Sequence, residues 1–111
     1  MKLVTAHIRS EQMPSVKLAL YDVQSRHLTA TSVLGTAPKS EQQMDRGVAR
    51  EVSLFRRVRV EVAVIEEQVE AAIEAITTGA KQAGGWGRIF VTELHEAVTI
   101  WTGERGPRAI G

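Results

Sequence analysis

The stretch Arg57-Val58-Arg59-Val60-Glu61-Val62-Ala63-Val64 decides the reading of this chain. Its valines alternate with charged or small residues, the period of a strand that turns Val58, Val60, Val62 and Val64 to a core and Arg57, Arg59, Glu61 and Ala63 to water. Just beyond it Glu66 and Glu67 favour a helix start. Val69, Ile73, Ile76 and Ala80 then recur at helical spacing until Gly84, Gly85 and Gly87 stop the run. Arg88 to Leu94 returns as a strand. Ala97 to Trp101 reads as a short fifth one, before an irregular tail marked by Thr102-Gly103 and Gly106-Pro107.

Upstream, the apolar pattern disappears between Thr36 and Arg50, a polar segment around Pro38 and Gly47 that is too long for an ordinary connection in a small domain. Before that lies Leu28-Thr29-Ala30-Thr31-Ser32-Val33, a strand ending at Gly35. Ser10 as a cap, Pro14 in a first turn, and Met13, Val16, Leu20 and Val23 at helical spacing predict a helix that runs until Gln24-Ser25-Arg26. Lys2 to Ile8 sets Leu3, Thr5 and His7 against Val4, Ala6 and Ile8, a strand covered on both faces or paired centrally. The order βαββαβ is the split βαβ arrangement, so the expected fold is a ferredoxin-like α+β sandwich.

Composition agrees with one folded unit over 1–111: 43% of its 111 residues are apolar and 24% charged, with a formal net charge of +1. That balance excludes a multidomain enzyme and argues against disorder. The absence of cysteine excludes disulfides, thiolate metal sites and cysteine nucleophiles. No apolar run exceeds the four residues of Val62-Ala63-Val64-Ile65, and no signal-peptide core precedes the first strand, so a cytoplasmic protein is expected. His7, His27 and His95 share no metal-ligand spacing and no nucleophile motif, while Glu66, Glu67, Glu70 and Glu74 read as a solvated helix face. Neither an enzyme nor a metal site is expected. A nucleotide-hydrolysing activity is the enzymatic alternative, with no general base visible.

The fold hosts many functions, and the chemistry must come from particular residues. Glycines at 84, 85 and 87 let backbone N–H groups approach phosphate oxygens, and Arg88 adds a charged fork, which makes 82–88 a candidate phosphate loop. The other reading of the same residues is a helix-ending turn before a strand. The run Arg46, Arg50, Arg56, Arg57, Arg59 holds a single internal acid, Glu51, and forms a local positive patch suited to a phosphate, a small carboxylate or carbonate-type anion, or an acidic partner surface. A ferredoxin-like RNA-binding module is a further alternative. The near-neutral net charge and the mostly aliphatic strand faces speak against nucleic acid.

Taken together, Gly85-Trp86-Gly87-Arg88-Ile89-Phe90-Val91, Glu96-Ala97-Val98-Thr99-Ile100-Trp101-Thr102-Gly103-Glu104 and Arg108-Ala109-Ile110 resemble the C-terminal signature of PII-type signal transduction proteins. Met1 to Ala6, Leu28 to Thr31 before Gly35, Asp45-Arg46-Gly47 and Arg57 to Val62 extend that resemblance over the whole chain. It implies a homotrimer that binds adenine nucleotides in clefts between subunits and uses a mobile T-loop, here about 36–53, to engage a membrane transporter or an enzyme. The residues it implies for the nucleotide are Thr29 at the adenine, Glu61 beside the pocket, and Gly35, Gly85, Gly87 and Arg88. Arg57 falls where the family has a lysine near its effector, and Arg46 joins it as a candidate anion contact.

Departures from the family refine those expectations. Thr99 and Trp101 stand where two basic residues grip phosphates, so the terminal phosphate of ATP loses most, and ADP or AMP becomes the expected ligand. Trp101 stacks on a base or packs at a subunit contact, with packing the expected role. The segment Gly35 to Glu41, with Pro38 and Lys39, lacks the arginine-glutamine pair linked to magnesium and 2-oxoglutarate; bicarbonate is the expected replacement effector. The loop tyrosine positions hold Arg50 and Asp45, so nucleotidylylation there is excluded, and Tyr21 lies in the first helix. Ser40 and Ser53 read as ordinary serines. The implied role is regulation of a transporter in nitrogen metabolism, with carbon uptake as the alternative.

Overall fold

The computed structural model describes residues 1–36 and 53–110. Strands β1 (Lys2–Ile8), β2 (Leu28–Gly35), β3 (Phe55–Val64) and β4 (Arg88–Glu93) form one sheet in the order β2-β3-β1-β4. Every neighbouring pair is antiparallel. Helices α1 (Met13–Asp22) and α2 (Val69–Lys81) connect β1 to β2 and β3 to β4, giving the expected ferredoxin-like α+β sandwich. None of the described helices is long and apolar enough to cross a membrane.

Alternation along the strands decides which face the helices cover. Val4, Ala6 and Ile8 from β1 and Val60, Val62 and Val64 from β3 are buried against Val16 and Leu20 of α1 and Ala72, Ala75, Ile76 and Ala80 of α2. The central place of β1 explains why both of its faces carry apolar residues. Where the helices meet, a Cβ on Gly79 would lie 2.8 Å from Val16 Cα and 2.9 Å from Ser15 O, so glycine sets how closely they approach.

Both helices begin later than their caps suggested. Short 3-10 turns, Ser10–Gln12 and Glu66–Gln68, precede them, and the cap position of the first is Arg9, with Ser10 already inside the turn. At the first turn Gln12 takes over: its Oε1 accepts from the Arg9 N–H at 2.8 Å, and its Nε2 donates to the Ala80 carbonyl at 3.2 Å. This buried amide ties the start of α1 to the end of α2. The helices also end alike. Ser25 N–H donates to Leu20 O at 2.9 Å after Gln24 at φ 64, and Gly85 N–H donates to Ala80 O at 2.8 Å after Gly84 at φ 101.

Two expectations need correction. Ala97 to Trp101 does not form a fifth strand: only Val98 bridges, to Arg105, because Gly103 N–H turns back to Thr99 O at 2.7 Å and closes a tight hairpin. β4 ends at Glu93, although Leu94 N–H still reaches Met1 O at 3.0 Å. The outward face of β3 is not uniformly wet either. Arg57 is only 7% exposed, because its aliphatic stem and guanidinium lie against aromatic rings rather than in water.

Candidate functional site

With both helices on one side, the other face of the sheet is left uncovered in the single chain, and the strand register arranges its side chains in rows. Thr29, Glu61, Thr5 and Phe90 form one row, and Thr31, Arg59, His7 and Arg88 the next, with Val33 and Arg57 beyond. Thr29 and Glu61 are therefore direct cross-strand neighbours, as a shared site requires. Glu61 Oε1 lies 3.5 Å from Arg59 Nε, so its carboxylate is held by an arginine of its own strand.

The glycine turn sits at the far end of this face. Gly84, Gly85 and Gly87 all have positive φ, and a Cβ on Gly87 would come within 2.7 Å of the His7 carbonyl. Because the Gly85 N–H is taken up by Ala80 O, part of the cluster fulfils the helix-ending reading. The turn forms one wall of a groove of about 880 Å³, which Gly35, Arg57, Arg59, Arg88, His7 and Phe90 also line. Of the residues proposed from sequence, this groove unites Gly35, Gly85, Gly87, Arg88 and Arg57. Thr29 and Glu61 do not line it: they pair two residues back along β2 and β3 from the Thr31–Arg59 pair, of which Arg59 reaches the groove.

Trp86, between the glycines, organises the groove wall. The Arg57 guanidinium lies 4.5 Å from its ring centroid and that of Arg9 lies 5.3 Å away. Arg57 also stands 5.4 Å from the Phe55 ring and donates from Nη1 to the Arg56 carbonyl at 2.9 Å. A smaller, mainly apolar cavity of about 200 Å³ lies behind Trp86, between α2 and strands β1 and β4, bordered by Ile76, Ala80 and Ile89. It is too small for a nucleotide.

His7, Phe90 and Trp86 are groove residues that the reading of motifs missed. His7 meets Phe90 edge-on, with ring centroids 5.7 Å apart. The signal that finds them is register: once β1 is placed between β3 and β4, His7 falls opposite both Arg59 and Arg88. Arg56, by contrast, follows the alternation to the helix-covered side of the sheet, opposite Leu34, and leaves the patch. Ile100 and Trp101 occupy the tip of the C-terminal hairpin, 92% and 86% exposed. Tyr21 is exposed on α1, its ring 4.6 Å from the Arg26 guanidinium. The loop expectations at Pro38, Lys39, Ser40, Asp45, Arg46 and Arg50 lie outside the described residues.

Over residues 1–104 the sequence matches the family model described as nitrogen regulatory protein P-II. It is 40% identical over 114 residues to nitrogen regulatory protein GlnK1 of Methanosarcina mazei, covering 99% of this chain and 97% of that protein. Similarity to nitrogen regulatory protein P-II of Azospirillum brasilense is 38% over 112 residues, 99% of this chain and 100% of the relative. Nitrogen regulatory protein GlnK of Escherichia coli is 32% identical over the same coverage.

Proposed function

The chain belongs to the nitrogen regulatory protein P-II family, and from that membership we propose that it is a regulator that reads adenine nucleotides, ADP or AMP in preference to ATP, at clefts between the subunits of a homotrimer. The observation that carries this reading is the division of the candidate residues. Thr29 and Glu61 form a polar pair at one end of the uncovered sheet face, while Gly35, Gly85, Gly87 and Arg88 gather around a groove at the other. A rotationally symmetric assembly brings the first set of one subunit beside the second set of the next, so that each cleft has a base-recognising wall and a phosphate-recognising wall. The uncovered face supplies the contact surface.

Preference for ADP or AMP rests on Thr99 and Trp101. Neither adds positive charge for a terminal phosphate, and Arg88 alone carries that role among the proposed nucleotide residues. Output passes through 36–53 to a partner, most simply a membrane transporter for ammonium. Bicarbonate uptake is the second reading, favoured by Arg57, a buried cation bordering the groove. The protein acts by binding rather than by catalysis, in the cytoplasm or at the membrane through its partner.

Calorimetry with AMP, ADP and ATP, on a sample whose mass in solution is measured, tests the core of this proposal. The expected result is a trimer that binds ADP or AMP more tightly than ATP. A stable monomer, or ATP binding well above ADP, overturns it. Genomic neighbours and capture from membranes, with and without residues 37–52, test the transporter reading.

A further inference from the structure

Among the described residues, the groove contains one side chain that the nucleotide reading does not use: the imidazole of His7, set among arginines. His7 lies on the central strand, directly opposite Arg59 of β3 on one side and Arg88 of β4 on the other, with all three side chains on the uncovered face. Arg57 borders the same groove one row further along β3, and Glu61, one row back, is paired with Arg59. Arg9, just past β1, adds a further cation at the groove wall, its guanidinium 5.3 Å from the Trp86 ring centroid. No described acidic side chain lines the groove.

We propose that this groove is a proton-coupled oxyanion site, in which His7 joins Arg59 and Arg88 in holding a phosphate-like or carboxylate-like group and takes up a proton as the anion binds. The physical reason is linkage. Imidazole is the side chain whose charge changes between about pH 5 and 8, and an anion drawn in by the arginines favours its protonated form. The protonated ring in turn adds a charge-assisted hydrogen bond to the anion, and the two effects are reciprocal. Phe90 shields one edge of the ring from water, which strengthens the coupling. The site would then report oxyanion and acidity together. The inference rests on the preceding reading only for the nucleotide as one source of the oxyanion, the other being a free ion.

The test is calorimetric titration with sulfate and with ADP at about pH 6 and about pH 8, each in two buffers of different ionisation enthalpy, so that protons taken up are counted. Sulfate carries no titrating proton in this range, whereas phosphates titrate near about pH 6, and the variant measures that background. Expected are proton uptake and an affinity about tenfold higher at the lower pH. In His7→Gln both disappear with sulfate and fall to the phosphate's own background with ADP, and both persist in His27→Gln and His95→Gln, whose histidines are exposed and lie outside the groove. Proton-linked sulfate binding identifies a free ion as occupant, and linkage with ADP alone identifies the nucleotide's phosphate.

ADP binding with no proton uptake beyond the His7→Gln background, and sulfate showing none, overturns the inference and leaves the nucleotide reading standing. Proton-linked sulfate binding without ADP binding does the reverse. Binding of neither overturns both. Since His7 sits on the central strand, its ring is also followed by NMR in the unsubstituted protein. A titration midpoint that rises on ligand addition supports the site, and one that stays in place overturns it.

Discussion

Arg57 and Trp86, far apart in the sequence, meet face to face: the guanidinium lies 4.5 Å from the ring centroid, and the contact lets an arginine be buried in a wall of the groove. Trp86→Ala takes the ring from Arg57 and from Arg9 together. The expected loss of stability is about 2 kcal/mol, below that of a wholly buried tryptophan because Trp86 is half-buried. Trp86→Phe keeps an aromatic face and should lose less than about 1 kcal/mol. Urea denaturation separates the two, and equal losses would show that the ring does not act through its π face.

Gly79→Ala tests the helix crossing. Alanine improves helix propensity by about 1 kcal/mol, but its methyl would meet backbone atoms of Ser15 and Val16 at under 3.0 Å, which cannot rotate away. Overpacking of this kind costs about 1 to 3 kcal/mol, so the net change is a loss of about 1 kcal/mol. A higher melting temperature would overturn this account of the crossing.

Gln24→Gly should stabilise. Gln24 already occupies the left-handed region at φ 64 at the end of α1, where a side chain costs about 1 kcal/mol or more. Glycine relieves that strain and returns part of the gain as unfolded-chain entropy, leaving roughly 0.5 kcal/mol. The corresponding position after α2 is already Gly84, and Gly84→Ala should move the melting temperature the other way.

The pair Lys2 and Glu93, opposed in register on β1 and β4, gives stability a defined pH dependence. Hydrogen bonding to Lys2 holds the Glu93 carboxyl below its ordinary 4.5, so this contribution is present above that value and is lost as pH falls through the lowered folded one. Hydrogen bonding to Glu93, with help from Glu66, holds Lys2 above its ordinary 10.5, a contribution present below that value and lost as pH rises through the raised folded one. Both side chains reach solvent, Lys2 27% and Glu93 49% exposed, so the effect is small and salt screens it. Melting curves of Glu93→Gln should lack this part of the acid limb at low salt and match the parent at high salt.

Exchanging the departures at the C-terminal hairpin should exchange the ligand preference. On the proposed nucleotide reading, Thr99→Arg with Trp101→Arg adds two charge-assisted contacts, each worth about 1.5 to 3 kcal/mol, and should raise ATP affinity by at least about tenfold relative to AMP. Arg88→Ala should weaken every nucleotide phosphate contact, and Arg57→Ala should abolish any shift in ADP affinity produced by bicarbonate. Competitive calorimetry reads all three. A strong response to 2-oxoglutarate with magnesium would overturn the expectation drawn from Pro38 and Lys39.

The sheet and both helices were legible because Val58 to Val64 and Val69 to Ala80 carry unbroken periods of two and 3.6. Alternation names the two faces of a strand but not what covers them. The burial of Arg57 depends on Trp86, and that of Gln12 on a carbonyl at the end of α2, both partners distant in the sequence. Apolar residues from Ala97 to Trp101 imitate a strand, yet the glycine turn at Gly103 folds them back before a neighbour can pair. For the site, Gly35, Gly85, Gly87 and Arg88 stand out by residue type. His7 becomes visible only after the register is known.

That register also sets the order in which the chain can complete itself. Val4 pairs with Val62 on one side and Val91 on the other, so β1 is synthesised well before its inner neighbour and longer still before its outer one. Until Arg88–Glu93 emerges, the outer edge of β1 has no partner within its own chain and can pair with a strand of another nascent copy. Synthesis therefore carries an interval of exposure to aggregation whose length is set by translation speed between Ile8 and Glu93.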